Sequence, residues 1–519
     1  MQDLPWGHRS PLSCLGISAA IDIFGAEPHI SSTDHLHMKP KSLILLLAGI
    51  YLLGLLACRS ESEEPTTSYE LTEQQRIAID SICRSFLAKG NTVGFSLGLA
   101  HHGQVLFAQG YGLANIEGQK PATENTIYPI ASISKFITGI TTLRLVEDGR
   151  LSLEDKVVDL LEGFPQQQYM EEITVEHLLR HQSGLVDHED WFDSLYIHEK
   201  RVFTTAEFYE FLDRPLFFRP GSQYSYSNSG YALLSAILEK TTQKSFHELI
   251  VAEIGSPLGL HSLGMWPEQW QRPEASMGYE LNTGGLDTSF HMMTQGMKGD
   301  GGLSASVADL LKIGTALADG TLLPASALER MLSPTPIGPI AIDYGLGVKS
   351  GNYHGQPCWG HSGGYKGTGW ALLAHYPESG ITFAAAMNTN YSPEEMWMLR
   401  HLIMPVVLQI DRPSYEARAV DRPERFAGEY AAIDRWGGKE PSTRVATAQE
   451  GGLFWDNPDT DTPPAPLFQT GENTFSWQAF PFDEFRFHEV DGKIVACSEY
   501  YDGLFGMVRM KQEQADHGR

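Results

Sequence analysis

The clearest hydrophobic pattern in the chain predicts a buried helix beginning near residue 132. Apolar side chains recur there at helical spacing, at Ile133, Phe136, Ile137, Ile140, Leu143 and Val146. Gly149 is a suitable stop, and Ser132 would open the helix. The backbone N–H groups of such a first turn favour developing negative charge. This stretch is therefore the first place to look for chemistry.

Other elements follow from the same patterns. The predicted helices lie at 72–87, 173–181, 307–316 and 394–408, and the predicted strands at 95–100, 105–108 and within 359–388. After about residue 425 only short strand-like runs remain, separated by turn signals such as Asp491-Gly492. The segment 418–519 is therefore predicted to be a separate β-rich, barrel-like domain that folds independently.

The N-terminal region has the pattern of a targeting segment. Residues 38–41, Met-Lys-Pro-Lys, precede an apolar stretch at 42–57, as in a secretory signal. That stretch is shorter than the about 20 residues needed for a membrane-spanning helix. Its end, Leu-Leu-Ala-Cys58, resembles the lipobox of bacterial lipoproteins. The resemblance implies cleavage before Cys58, a lipid on its thiol and a place in the bacterial cell envelope.

This assignment orders the start of the chain. A signal belongs at a protein's N-terminus, so Met38 is expected to be the initiator, with residues 1–37 upstream of the true start. The signal peptide then covers 38–58, and the polar residues 59–71 form a tether.

The amino-acid composition limits the classes of partner and of metal or redox site that are expected. The 519 residues include 38 basic and 64 acidic ones, a net charge of −26 with no basic cluster, which argues against nucleic acid as a partner. No Cys-x-x-C motif exists, so zinc-ribbon and thioredoxin-type sites are not expected. Besides Cys58, Cys83, Cys358 and Cys497 leave an odd number for the folded region.

The candidate chemistry begins with Ser132 and Lys135, which form the motif S-x-x-K. Three positions apart on a helix, they share one face, so the lysine amine lies beside the serine hydroxyl and can help to take its proton. No other lysine in the chain has a serine three residues before it. An ordinary core helix with a chance match is the alternative. Downstream, Tyr226-Ser227-Asn228 is the only Tyr-x-Asn in the chain, although a turn with a helix cap would use the same residues.

Taken together, these motifs resemble those of the serine β-lactamase and penicillin-binding-protein family, including class C β-lactamases, D-alanyl-D-alanine carboxypeptidases, esterases and D-amino-acid peptidases. The motifs that carry the resemblance, in order, are Ser132–Lys135, residues 178–185, Pro220-Gly221, residues 226–231, residues 344–347 and residues 360–363. The resemblance spans 72–410. It implies an α+β fold in which an antiparallel sheet is flanked by helices and carries an inserted helical lobe.

The resemblance also implies roles for individual residues. Ser132 would be the acylated nucleophile, Lys135 would hold the proton balance, and Tyr226 would be the general base and then the general acid. The ordinary pKa of a tyrosine is about 10, so such a base needs a neighbouring cation. Asn228 would bind the acyl side of the substrate, and the backbone N–H groups of Ser132 and Gly364 would form the oxyanion hole.

The third motif of the family, Lys or His followed by any residue and Gly, has three candidates. His101-His102-Gly103 precedes the nucleophile and is excluded by its order. Lys349-Ser350-Gly351 offers lactamase-like chemistry, but His361-Ser362-Gly363 stands where the family places the motif, and we favour it. Histidine there is typical of the carboxypeptidase and esterase branches and counts against efficient β-lactam hydrolysis.

The sequence therefore predicts a membrane-tethered serine hydrolase that cleaves an ester or amide of a small molecule or peptide, without cofactor or metal. One alternative is a catalytically inactive lipoprotein that binds peptidoglycan or a peptide. Another is a metallohydrolase using His177 and His181, although Leu178 stands where a zincin has Glu. A true β-lactamase is the third. The sequence does not determine the substrate.

The lipid anchor gives a first test. We expect the mature protein to begin at Cys58 and to sediment with membranes. Cys58→Ala removes the thiol that would carry the lipid, so this variant should be soluble or unprocessed. Cell fractionation and mass spectrometry of the N-terminal peptide check this, and an unmodified mature N-terminus upstream of residue 38 would contradict it.

Overall fold

The computed structural model describes residues 69–199, 201–282, 285–287, 297–365, 369–390, 393–411, 420–433, 442–449, 452–477, 483–501 and 503–512. The predicted signal peptide, Cys58 and most of the tether lie outside these ranges. From Tyr69 onward the chain forms one compact unit. No helix within the described ranges is long and apolar enough to cross a membrane.

The helices are numbered in chain order. They are α1 (Glu73–Ala88), α2 (Ile133–Glu147), α3 (Val157–Leu160), α4 (Val175–Leu179), α5 (Glu189–Glu199), α6 (Thr205–Leu212), α7 (Asn228–Thr242), α8 (Phe246–Ile250), α9 (Trp266–Gln269), α10 (Val307–Ala318), α11 (Ala325–Leu332) and α12 (Pro393–Leu408). A π-helical turn follows α8 at Val251–Gly255, and 3-10 turns lie at Met170–Glu172 and Pro423–Arg425.

The strands are numbered in the same way. Those before residue 411 are β1 (Gly94–His101), β2 (Gln104–Asn115), β3 (Lys120–Pro121), β4 (Tyr128–Pro129), β5 (Gly264–Met265), β6 (Tyr279–Asn282), β7 (Gly285–Asp287), β8 (Leu303–Ala305), β9 (Thr335–Ile337), β10 (Ile340–Ile342), β11 (Lys349–Tyr353), β12 (Gln356–Tyr365), β13 (Gly369–Tyr376), β14 (Ile381–Met387) and β15 (Thr389–Asn390). Those after it are β16 (Gly428–Ala432), β17 (Ser442–Gln449), β18 (Gly452–Asp456), β19 (Ala465–Gln469), β20 (Thr474–Trp477), β21 (Glu484–Val490), β22 (Lys493–Tyr501) and β23 (Leu504–Lys511).

The central sheet is antiparallel and runs in the order β11, β12, β13, β14, β1, β2, β3. Side chains on one of its faces pack against α1 and α12, and those on the other pack against α2, α10 and the helical lobe inserted between β4 and β8. After α12, β16 to β23 pair in chain order, and β16 also pairs with β23, which closes an eight-stranded barrel. The predicted fold, including the inserted lobe and the barrel-like C-terminal domain, is confirmed.

Local sequence explains why α1 and α2 begin differently. Thr72 closes a capping box at the start of α1, where its hydroxyl accepts from the Gln75 N–H. At α2, most side chains are buried, which agrees with its apolar pattern. A Cβ at Gly139 would lie 2.5 Å from the Leu346 carbonyl oxygen, so glycine lets the loop after β10 pack directly on α2. The nucleophile helix is therefore held in the middle of the domain.

The predicted helix at 173–181 is shorter in the structure, where α4 ends at Leu179. Arg180 caps it, and His181 has a φ of +58°, in the left-handed region that stops a helix. The prediction extended this helix too far, because the residue that stops a helix in this conformation is usually glycine. A histidine at this position gives no signal that the helix ends.

The barrel and the hydrolase domain share a buried apolar cluster, and independent folding of the barrel stays a prediction. Gly351 of β11 pairs with Leu504 of β23, so the two sheets are continuous. One buried cluster combines Tyr224 and Tyr344 with the barrel residue Phe505, which is 0% exposed. A chain ending at residue 410 would expose this apolar surface, and we expect it to be less stable than the full chain.

The shared core can be tested at Phe505. Phe505→Ala should lower the free energy of unfolding by about 3–5 kcal/mol, the range for a buried phenylalanine replaced by alanine. Val105→Ala is a control at an exposed apolar side chain, and it should change stability by less than about 0.5 kcal/mol. Denaturant unfolding measures both, and a loss below about 1 kcal/mol for Phe505→Ala would refute a shared core.

Candidate active site

The hydroxyl of Ser132 contacts the side chain of Lys135 and does not bond a backbone N–H of the helix. Ser132 has helical backbone angles, φ −65° and ψ −6°, and its side chain makes no capping hydrogen bond. Lys135 Nζ donates to Ser132 Oγ over 3.1 Å. A serine at the start of a helix ordinarily uses its hydroxyl as a cap. This hydroxyl instead contacts the amine, as the i, i+3 spacing predicted.

Lys135 is completely buried, and several groups compensate for its burial. Besides Ser132, its Nζ donates to the backbone carbonyl of Asp300. The same atom lies 4.9 Å from the centre of the Tyr226 ring and 5.8 Å from that of Tyr231. A buried cation is tolerated only with hydrogen bonds or a compensating charge distribution, and aromatic faces contribute to this. The lysine thus joins the nucleophile to the Tyr-x-Asn loop.

The Tyr-x-Asn loop ends at the start of α7. Ser227 is the helix cap, and its hydroxyl accepts from the Gly230 N–H over 3.1 Å. The capping role that the sequence left open thus belongs to Ser227, and Tyr226 is left beside Lys135. The capping role is confirmed for Ser227, and the catalytic role of Tyr226 stays a prediction.

Asn228 is fixed by two carboxylates. Its N–H donates to Asp187 Oδ2 over 2.6 Å, and its side-chain Nδ2 donates to Asp187 Oδ1 at 3.2 Å and to Glu189 Oε2 at 3.0 Å. The amide nitrogen is therefore used within the protein. The predicted contact between Asn228 and the acyl side of a substrate stays a prediction.

Strand β12 packs closely against the backbone of Ser132 at Gly363. A Cβ at Gly363 would lie 2.7 Å from the Ser132 backbone nitrogen and 2.2 Å from the Ile130 carbonyl oxygen, so no other residue fits. Gly364, the next residue, lines the same cavity as Ser132. The two N–H groups predicted to form an oxyanion hole thus come from segments in contact.

His361 lies on the same strand, fully buried. Its Nδ1 is 2.6 Å from the Ser362 carbonyl oxygen, and its Nε2 is 3.4 Å from the Tyr344 hydroxyl. Burial holds the pKa of His361 well below its ordinary value of 6.5, and the charge of Lys349 lowers this pKa further. The imidazole is therefore neutral near pH 7. Its predicted part in substrate binding stays a prediction.

The alternatives at Lys349 and His177 have other surroundings. Lys349 lies on β11, one strand further from Ser132 than β12, and desolvation followed by the charge of Lys135 lowers its pKa to about 8. His177 belongs to the capping box of α4, where its Nδ1 accepts from the Thr174 N–H. No group of three His, Cys, Asp or Glu side chains suited to a metal occurs in the ranges that the structure covers.

A cavity of about 110 Å³ opens over Ser132. The residues that line it are Ala131, Ser132, Glu189, Tyr226, Asn228, Met297, Asp300, Gly301, Gly364 and Tyr365. The charged side chains of this described lining are carboxylates, Glu189 and Asp300. No lysine or arginine side chain occurs among these lining residues. The cavity therefore has carboxylates in its wall, and the buried Lys135 nitrogen lies behind Ser132.

Sequence reasoning missed Glu189 and Asp300. Glu189 opens α5, after the motif at 178–185, and Asp300 precedes Gly301-Gly302. A carboxylate beside a glycine pair was a weak signal that could have pointed to Asp300. No local pattern pointed to Glu189, because it lies beside Asn228 only after the two segments pack together in the folded chain.

Comparison with known proteins agrees with this geometry. A family model described as Beta-lactamase matches residues 79–407. A penicillin-binding protein of Bacillus subtilis (strain 168) is 26% identical over 359 residues, covering 64% of this chain and 78% of that protein. A D-aminopeptidase of Gluconobacter oxydans (strain 621H) is 29% identical over 285 residues, covering 53% of this chain and only 52% of that protein.

A solved structure extends the likeness. The octameric penicillin-binding protein homologue from Pyrococcus abyssi has a TM-score of 0.58 and 25% identity, and the match covers 84% of this chain and 99% of that one. That share of this chain is larger than the segment matched by the family model. The prediction of a β-lactamase-related serine hydrolase is confirmed.

The geometry of this site predicts that Ser132 is the side chain that becomes acylated. Ser132→Ala should abolish labelling by a fluorophosphonate and lower kcat by roughly 10⁴–10⁶-fold, as removal of a nucleophile does. Ser134→Ala is the control. Its buried hydroxyl accepts from the Leu303 N–H over 3.0 Å, so its loss should cost about 1–3 kcal/mol of stability but keep labelling.

Peptide mass mapping of the adduct locates the labelled side chain. An adduct on Ser134, on Ser227 or outside the peptide that contains Ser132 would overturn the assignment.

Proposed function

Because the chain belongs to the beta-lactamase family of serine hydrolases, we propose that it hydrolyses amides of amino acids or short peptides that have a free α-amino group, with an acyl-enzyme on Ser132. The observation that carries this is the acidic lining of the cavity beside a lysine-activated serine. D configuration is proposed for the residue bearing the amine, supported by the similarity to a D-aminopeptidase.

The chemistry uses groups already in contact. Ser132 Oγ attacks the amide carbonyl while its proton passes to the base formed by Tyr226 and Lys135, and the carbonyl oxygen becomes an oxyanion facing the N–H groups of Ser132 and Gly364. The C–N bond breaks as Tyr226 returns the proton to the leaving amine. Water then adds to the acyl carbonyl and gives a proton to the same base. The acyl C–O bond to Ser132 breaks as the base returns that proton to Ser132 Oγ, which releases the carboxylic acid and restores the hydroxyl.

The charge of the cavity selects among substrate classes. An α-ammonium group placed near Glu189 gains a charged hydrogen bond, worth about 1.5–3 kcal/mol. Glu189 already accepts from Asn228 Nδ2, so its carboxylate is held in place at the cavity wall. Asp300 is the second acidic residue of the lining, and its buried carboxylate lies 3.7 Å from His188 Nε2. A substrate with a free amine is therefore favoured.

The same charges disfavour two other substrates in this family. A D-alanyl-D-alanine carboxypeptidase or a β-lactamase binds a substrate carboxylate and needs a cation to do so. Here His361 is neutral, and the described lining offers carboxylates instead. A substrate carboxylate would meet like charge, which is unfavourable in a partly desolvated cavity.

We also propose that the hydrolase is lipid-anchored through Cys58 in the bacterial cell envelope. The support is the lipobox-like sequence at 55–58 and the polar segment that follows it. The capped start of α1 at Glu73 leaves a tether of residues 59–71 between the anchor and the first helix. The site would then act on substrates at the membrane surface.

A substrate panel tests the proposed activity. The D- and L-phenylalanine p-nitroanilides, their N-acetylated forms, p-nitrophenyl acetate and nitrocefin are compared by kcat/KM. The free D-amine anilide should be the best amide substrate, and N-acetylation should lower kcat/KM by roughly 10- to 150-fold, the loss of one charged hydrogen bond. Equal or faster turnover of the acetylated anilide or of nitrocefin would overturn the proposal, and no Ser132 adduct at all would indicate an inactive binding protein.

Glu189 is tested separately. Glu189→Gln keeps the size of the side chain but removes its charge, so KM for the free-amine substrate should rise by roughly 10-fold or more while that for the acetylated one changes little. Asp190→Asn is the matched control at the exposed neighbouring carboxylate and should leave both KM values unchanged. An equal effect of Glu189→Gln on both substrates would contradict a contact with the amine.

A further inference from the structure

His181 occupies a backbone position that histidine disfavours. It follows the cap of α4 with a φ of +58°, where glycine is the usual residue and a side chain costs about 1–2 kcal/mol. It is also completely buried. A strained residue of this kind persists when its side chain is held by strong local contacts, and such residues cluster at functional sites.

Hydrogen bonds connect His181 to both walls of the cleft. The Ser227 N–H, next to Tyr226, donates to His181 Nδ1 over 2.9 Å. His181 Nε2 lies 2.9 Å from the Tyr344 hydroxyl, and that hydroxyl lies 3.4 Å from His361 Nε2. His361 Nδ1 then lies 2.6 Å from the Ser362 carbonyl. A continuous chain thus runs from the Tyr-x-Asn loop to strand β12.

The two ends of this chain fix where its protons are. A backbone N–H can only donate, so His181 Nδ1 accepts and its proton is on Nε2. A carbonyl oxygen can only accept, so His361 carries its proton on Nδ1 and accepts at Nε2. His181 therefore donates to the hydroxyl of Tyr344, and His361 Nε2 can only accept from that hydroxyl. The same hydroxyl also bonds Tyr231, whose own proton goes to the Leu179 carbonyl.

Ring contacts place His181 directly against the proposed base. Its ring centre is 4.3 Å from that of Tyr226, with 35° between the planes. Tyr224, Tyr231 and Tyr344 surround the imidazole at 5.8, 5.1 and 4.8 Å. Movement of His181 would therefore move Tyr226 relative to Lys135, whose Nζ lies 4.9 Å from that ring.

From these contacts we infer that His181 is a positioning residue, which with Tyr344 and His361 holds Tyr226 in register with the Ser132–Gly363 contact on the opposite wall. The inference rests on the proposed acyl-serine function. It assigns His181 neither a metal nor a proton transfer, because both ring nitrogens are engaged within the protein. Because small displacements of a reacting group cost rate more than binding, its loss should appear in kcat.

Tyr344→Phe removes the central hydroxyl and keeps the ring. We expect kcat for the free D-amine anilide to fall by roughly 10- to 100-fold with KM within about twofold, because binding groups stay in place while the base is displaced. Tyr430→Phe is the matched control in the barrel, a buried tyrosine whose hydroxyl donates to the Phe426 carbonyl. It should keep the native kcat. An unchanged kcat for Tyr344→Phe would overturn the inference.

His181→Gly separates a role of the ring from a role of the turn. Glycine suits the positive φ but removes a buried, hydrogen-bonded ring, so the variant loses stability in either case. If the residue serves only the turn, the folded variant keeps its kcat. A positioning role instead predicts a kcat loss of roughly 10- to 100-fold in a folded protein. Gln243→Gly, at an exposed residue with φ +55°, is the control and should not change kcat.

A spectroscopic measurement tests the chain without relying on turnover. In protein labelled with ¹⁵N-histidine, His181 should show the Nε2–H tautomer and His361 the Nδ1–H tautomer, both without titrating between pH 6 and 8; the variants His181→Gly and His361→Asn assign the signals. The reverse tautomer or a charged His181 ring would overturn the inference even if the native protein turned over no amide. Native tautomers with no Ser132 adduct would instead refute the proposed function and leave the structural chain supported.

Discussion

The burial of one lysine side chain organises this protein. Lys135 lies in the core, where a charge without partners would cost several kcal/mol, so the fold must bring polar and aromatic groups to it. They come from three separate parts of the chain: Ser132 on its own helix, the carbonyl of Asp300, and the Tyr226 ring before α7. Satisfying the lysine therefore assembles the nucleophile, the proposed base and the cavity wall at one point.

The cleft depends on close backbone contact as much as on side chains. Glycine at position 363 lets β12 touch the backbone of Ser132, and glycine at 139 lets the loop after β10 rest on α2. These contacts leave little freedom between the sheet and the nucleophile helix. The opposite wall, which carries Tyr226, belongs to the helical lobe, and the buried chain through His181 and Tyr344 connects it to the sheet. A two-walled site of this kind needs such a connection, because its reacting groups lie on elements far apart in sequence.

The C-terminal barrel packs against the residues next to this buried chain. Phe505 packs against Tyr224 at 5.6 Å and against Tyr344 at 6.4 Å, and Arg486 and Tyr500 bind the carboxylate of Asp343, one residue before Tyr344. The C-terminal domain thus supports the residues that hold the proposed base, without itself lining the described cavity. This explains physically why a β-rich segment with a different sequence texture forms one compact unit with the hydrolase domain.

The sequence by itself determined the elements whose cause is local. The i, i+3 spacing of Ser132 and Lys135, the apolar face of α2 and the unique Tyr-x-Asn motif all act within a few residues. Periodicity and motif order were therefore sufficient to predict the fold class and to bring Ser132, Lys135 and Tyr226 together. Only the tertiary structure decided the contacts made across the chain. Glu189 and Asp300 give the cavity its charge, His181 links its walls, and Phe505 joins the barrel to them. Each of these contacts depends on how segments far apart in sequence pack together, and no local sequence pattern encodes that packing.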